Sequence, residues 1–246
     1  MSDAAAIDGH EKSGDGHGHD GSHDGHGMHE GRPYLAHHFD TPAQQFDAAK
    51  IGMWAFLVQE LLFFSGIFVA YGIFRGWYPE MFSQASHQLN RPMGAANTIV
   101  LLFSSLTAAL AVRSAQLGKK KQTSALILIT IACACFFLVV KYFEYHHKFE
   151  AGLLPGKYFH PDTHHMVAGT TLPANAHIFY SIYFMATGIH GVHVAVGIGV
   201  LLWIWRRNER GDFTAKYYAG VDITALYWHL VDLVWIYLFP LLYLID

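Results

Sequence analysis

Five stretches of this chain, at about 48–74, 93–117, 123–147, 175–205 and 217–244, are each long and apolar enough to cross a lipid bilayer. A hydrocarbon core about 30 Å thick takes roughly 20 apolar residues as a helix. Inside it no water is present to satisfy backbone N–H and C=O groups, so a run of this kind must bond to itself, and a helix does so. Barrel strands would instead show as alternating segments of about ten residues, and the sequence has no such pattern. The charged residues amount to 14% of the chain, against about 25% in an ordinary soluble domain. The sequence therefore predicts an all-α integral membrane protein, a bundle of five transmembrane helices.

Residues 1–46 have a different character. "HEKSGDGHGHDGSHDGHGMHEGRP" is Gly, His and Asp with almost no apolar content, too little to offset the entropy of ordering it. The expected organisation is a disordered tail over 1–46 and a five-span domain over 47–246. The tail lacks the apolar centre of a secretory signal. Histidine-rich tracts bind metals weakly, so His17, His19, His23 and His26 are candidate ligands for zinc, nickel or copper, with an incidental affinity the plainer reading. Cys133 and Cys135 lie two residues apart in "IACACFF"; on a helix they diverge, and they read as small packing residues.

Five spans place the two ends of the chain on opposite sides. Arg32, Lys50, Arg113, Lys119, Lys120, Lys121, Arg206, Arg207, Arg210 and Lys216 lie on the N-terminal side, and only Arg75, Arg91, Lys148 and Lys157 on the other. The excess of Lys and Arg on one side predicts a cytoplasmic N-terminus and a periplasmic C-terminus.

An ionisable group at mid-bilayer costs about 2.5–3.5 kcal/mol on insertion scales, so each one carries information. Glu60 sits near the centre of the first span, and Glu144 near the end of the third, three residues after Lys141. Both are candidates for a proton-linked or lipid-facing role, against a buried structural acid and a simple interfacial ion pair. His190 and His193 share a face of the fourth span, and His229 and Asp232 lie on one stripe of the fifth, with Asp222 seven residues before His229. These four, His190, His193, His229 and Asp232, are expected to form a structural polar network. Trp54, Trp228 and Trp235 are expected to meet lipid or a partner. No set of histidines and cysteines has the spacing of a haem or copper site within the membrane, and no nucleotide loop or nucleophile triad is visible.

"MWAFLVQELLFFSGIFVAY", "NTIVLLFSSLTAALAV", "FEYHHKF", "FYSIYFMATGIHGVHVAVG" and "ALYWHLVDLVWIYLFPLLY" occur in this order across nearly all of residues 50–244. In them the chain resembles subunit III of the haem–copper oxidases, the cytochrome c and quinol oxidases of respiratory chains. Many members have seven spans; this sequence is similar to the five-span bacterial form. The resemblance implies a helical bundle docked on a catalytic subunit, with haem and copper held by partner subunits and none in this chain. It also implies bound phospholipid in a cleft that the first two helices of seven-span members help to form. The family's carbodiimide-reactive glutamate corresponds to Glu60, with Gln59 where a Ser is usual; the family's "HHFGFE" reads "YYAGVD" here, while His229 and Asp232 match directly.

The implied function is that of a non-catalytic subunit supporting assembly, lipid binding and proton uptake in an oxidase that reduces oxygen to water and pumps protons. The implied partners are oxidase subunits I and II, small membrane subunits, phospholipids and a larger respiratory supercomplex, with no nucleic acid. The implied location is the bacterial inner membrane, as a multi-pass protein. Two alternatives stand beside this: an accessory protein of a nitric oxide reductase, and a metal-responsive or metal-transport membrane protein suggested by the tail.

Overall fold

The structure, a computed structural model, describes residues 39–160, 172–215 and 217–245. The candidate tail ligands His17, His19, His23 and His26 lie outside the described residues. The first helix, α1, spans Pro42–Trp77 and so begins inside the stretch expected to be tail. The reason is local: Thr41 Oγ1 accepts the N–H of Gln44 at 3.1 Å, Gln44 Oε1 accepts the N–H of Asp40 at 2.9 Å, and Pro42 tolerates the first helical position because its missing N–H would find no partner there.

Five more helices follow: α2, Pro79–Ser86; α3, Arg91–Gln116; α4, Lys120–Glu150; α5, His177–Arg210; and α6, Ala219–Tyr243. All but α2 are long and apolar enough to span a membrane, and the described residues contain no strand. Asn90 starts α3 by accepting the N–H of Met93 at 3.1 Å, a side-chain cap of the usual kind. Sequence periodicity missed α2, whose eight residues are too short to span. It buries Met81, Phe82, Ala85 and Ser86, and Phe82 meets Tyr71 and Phe179 edge-on, each at 5.4 Å. It thus plugs one end of the bundle.

Helices α3 to α6 form the compact part. α3 packs on α4 and α6, and α5 packs on the same two. Trp228, Trp235, Tyr183 and Phe137 fill the centre and are fully buried. Close approach of α5 and α6 depends on Gly197, where a Cβ would lie 2.8 Å from the Trp228 ring. Gly191 and Gly199, from the same glycine-rich run, face open space, so only part of that run serves packing inside the chain.

α1 is different. Only 11% of its most apolar window is buried, against 33%, 39%, 33% and 44% for α3, α4, α5 and α6. Its inner edge, through Leu57, Glu60, Phe64 and Tyr71, is buried. Lys50 pairs with Asp222 at 3.4 Å, which sets the start of α1 beside the start of α6. Nearer its other end the Tyr71 hydroxyl donates to the Leu241 carbonyl at 2.5 Å.

Candidate polar sites within the bundle

Glu60 and His193 meet. Glu60 Oε2 lies 2.9 Å from His193 Nε2, and His193 Nδ1 lies 2.9 Å from the Ile189 carbonyl one turn earlier. The imidazole therefore bridges a backbone oxygen of α5 to the carboxyl of α1. Phe64 lies against the His193 ring at 5.2 Å and shields the pair on one side. On the other side, towards the Lys50–Asp222 end, a cavity of about 340 Å³ opens between α1, α5 and α6; Met53, Phe56, His193, Val196, Thr224 and Tyr227 line it. Its wall is almost wholly apolar, with the His193 ring as an exception. Sequence spacing could place His193 on a face but could not say that Glu60 of another span would reach it.

Glu144 turns inward. It was a candidate for a proton-linked or lipid-facing group, but only 4% of it is exposed, so it does not face lipid. Lys141 Nζ donates to Glu144 Oε2 at 2.9 Å and to the Tyr243 hydroxyl at 2.7 Å, and that hydroxyl donates to Glu144 Oε1 at 2.6 Å. The ammonium also sits 4.6 Å from the centre of the Trp235 ring. A buried ion pair is tolerable only when its remaining polar atoms are also satisfied, and Tyr243 from α6 does that here. Lys148, one residue beyond the third span as the sequence delimits it, is on α4 and buried, with its Nζ 3.3 Å from the Gln88 carbonyl. Tyr243 and Lys148 carried no sequence signal, because their role depends on which helix lies opposite.

Asp232 and His229 are joined through α3, since Ser105 meets both side chains. Asp232 Oδ2 lies 3.5 Å from Ser104 Oγ, which in turn accepts the Trp228 indole N–H at 3.0 Å. His229 Nδ1 lies 2.7 Å from Ser105 Oγ. Both serines belong to α3, so the stripe on α6 is read by the neighbouring helix. His190 is fully buried, and its ring nitrogens have no hydrogen-bond partner among the described residues. It packs between Phe137 at 5.4 Å and Trp235 at 5.2 Å. The four expected residues thus divide into His193 with Glu60, His229 and Asp232 linked through the serines of α3, and one imidazole, His190, held by aromatic rings.

Trp54 is exposed, as an outward contact requires, but Trp228 and Trp235 are fully buried. The expectation that these two meet lipid or a partner is corrected: Trp228 packs against Gly197, and Trp235 donates to Thr98 Oγ1 at 3.1 Å. Aromatic crowding in α6 reflects the interior of the bundle because α6 is its most enclosed helix. Among the described residues no three His, Cys, Asp or Glu side chains converge as metal ligands.

The cytochrome c oxidase subunit III family pattern matches residues 153–246. The chain is 32% identical over 201 residues to the probable cytochrome c oxidase subunit 3 of Mycobacterium leprae, covering 80% of this chain and 87% of that protein. It is 31% identical to cytochrome c oxidase subunit 3 of Mus musculus over 85% of this chain and 73% of the relative. For the Synechocystis protein of the same name the figures are 30%, 81% and 76%. The chain belongs to the cytochrome c oxidase subunit III family. These matches favour an oxidase subunit over the two alternatives from sequence. Among subunit III proteins, then, this one presents five membrane helices in which each buried carboxyl is met by a side chain from another span, Glu60 by α5, Glu144 by α6 and Asp232 by α3.

Proposed function

We propose that this chain, a non-catalytic subunit of a haem–copper terminal oxidase, supports assembly, lipid binding and proton uptake of the catalytic subunit. The observation that carries this reading is the Glu60–His193 pair beside the apolar cavity. A carboxyl and an imidazole in contact can pass a proton between them, and an apolar wall of this size suits an acyl chain. Haem and copper, held by the partner subunits, supply the electron transfer and the reduction of oxygen. What this chain's residues do is hold the proton-bearing pair in place, exclude water from it through Phe64, and lock the helices through Lys141, Glu144 and Tyr243.

In this reading the direct partners are subunits I and II with small membrane subunits, inside a larger respiratory supercomplex. The bundle sits in the bacterial inner membrane with its Lys50–Asp222 end towards the cytoplasm and its C-terminus in the periplasm, in keeping with the excess of basic residues at that first end. His17, His19, His23 and His26 give the cytoplasmic tail weak metal affinity. Phospholipid is the bound ligand of this chain.

The test is purification of the tagged chain from its own membranes, followed by an absorption spectrum and an oxygen-consumption assay. Haem co-purifying with the wild-type chain is expected. Glu60→Gln should retain the haem while the initial rate of proton uptake falls. A chain that purifies with no haem, or a Glu60→Gln complex with unaltered proton uptake and turnover lifetime, would overturn the reading.

A further inference from the structure

We infer that the outer face of α1, running past Gln59, is the docking face for one membrane-spanning helix of another oxidase subunit. This rests on the chain's place in an oxidase complex. Met53, Leu57, Glu60, Phe64, Ile67 and Tyr71 make the side of α1 that meets the rest of the bundle. Around the helix from them, Gly52, Ala55, Gln59, Leu62, Gly66, Val69 and Ile73 are all exposed. They alternate steps of three and four, the spacing of a seam between two helices crossing at about 20°.

Gln59 makes this face more than a lipid-facing stripe. It stands at the centre of the span Ala43–Trp77 and is exposed, and its side-chain amide makes no hydrogen bond to any described residue. The neighbouring carboxyl of Glu60 is turned away to His193. A primary amide has two donor hydrogens and an acceptor oxygen, and an acyl chain can bond none of them, so in lipid they would go unsatisfied. A second helix with a polar side chain at the same depth can bond them, as polar residues do between membrane helices.

The surface around the amide fits that occupant. Gly52 and Gly66 lie seven residues to either side of Gln59, and a Cβ built at either position meets nothing within 4 Å. The groove is shallow and lets a facing backbone approach closely. Leu62, 67% exposed, stands as a knob between Gln59 and Gly66, and Val69, 60% exposed, as another beyond Gly66. The partner helix therefore carries small or branched apolar residues at the same spacing and one hydrogen-bonding side chain opposite Gln59.

The experiment places a photo-crosslinking benzoylphenylalanine at Leu62 in the full complex within native membranes, with a control at Val139 on the outer face of α4. Illumination at Leu62 should join this chain to a different oxidase polypeptide, identified by mass spectrometry. Gln59→Leu should lower that yield by about threefold to twentyfold, the range given by one interhelical hydrogen bond, and Gln59→Asn should restore part of it. Adducts to lipid only, adducts to a second copy of this chain, or a yield unchanged in Gln59→Leu would each overturn the inference. Haem retained by the complex in those cases would leave the oxidase reading standing; its loss from the wild type would remove that reading instead.

Discussion

Helices α3–α6 and helix α1 are equally apolar to the eye, yet they are held by different means. Within the four-helix part, large buried aromatics fill the centre and hydrogen bonds join the spans: Thr107 to Thr130 at 2.8 Å, Tyr145 to Thr187 at 2.5 Å, Asn208 to Ser124 at 2.9 Å, Trp235 to Thr98 at 3.1 Å and the Tyr227 hydroxyl to the His193 carbonyl at 3.0 Å. α1 leans on the same bundle through a narrow edge and a few polar tethers, with its remaining surface turned outward. In lipid the apolar surface of a helix is no reason to pack, because the tails are as apolar as leucine. Shape and polar complementarity then decide which helices enclose one another. α1 supplies them on one edge only.

The comparison implies a ranked set of outcomes. The largest is expected at the buried pair: Glu144→Leu leaves the buried Lys141 charge with no counter-ion, held only by the Tyr243 hydroxyl, and should cost about 3–5 kcal/mol, read as a lower thermal midpoint of the purified complex. Lys141→Met combined with Glu144→Leu should recover most of that loss, since the pair is then replaced rather than broken. If the double variant is no better than the single one, the loss comes from Glu144's own bond to Tyr243 of α6 and not from the stranded Lys141 charge.

Next comes the α5–α6 contact. Gly197→Val forces a branched side chain into the Trp228 ring and should cost about 1–3 kcal/mol, measured the same way. A smaller and more local effect is expected at the tether of α1. His193→Leu removes one interhelical hydrogen bond, worth about 0.6–1.7 kcal/mol. It should show as faster amide exchange or proteolysis confined to α1, with the four-helix part unchanged. Equal loosening of all five spans would mean that α1 is integral to the bundle after all. The smallest effect belongs to Gly72 of α1, where a Cβ meets open space. Gly72→Ala should change stability by no more than about 1 kcal/mol, in the stabilising direction, read as a small rise of the midpoint.

The number of spans and their approximate limits were legible because hydrophobicity over about 20 residues is a property of contiguous sequence. So was the list of costly groups: Glu60, Glu144, His190, His193, His229 and Asp232 each stand out against apolar neighbours. The start of α1 was misjudged because a Thr–Gln cap outweighs the polarity of its first turn. α2 was missed because eight residues give periodicity too little length. Trp228 and Trp235 were assigned outward because interfacial and interior aromatics have the same appearance in a membrane span.

What the chain's sequence determines unaided, then, is that it must cross a membrane five times as helices and that certain ionisable side chains must find company there. Which company they find was decided only by the tertiary structure. Glu60 reaches a histidine 133 residues away, Glu144 a tyrosine 99 away, and Asp232 a serine 128 away. The physical reason is that desolvation belongs to a residue and its immediate neighbours along the chain, whereas a hydrogen bond between spans depends on how far each helix has turned about its axis. Packing sets that rotation, and no single span encodes it.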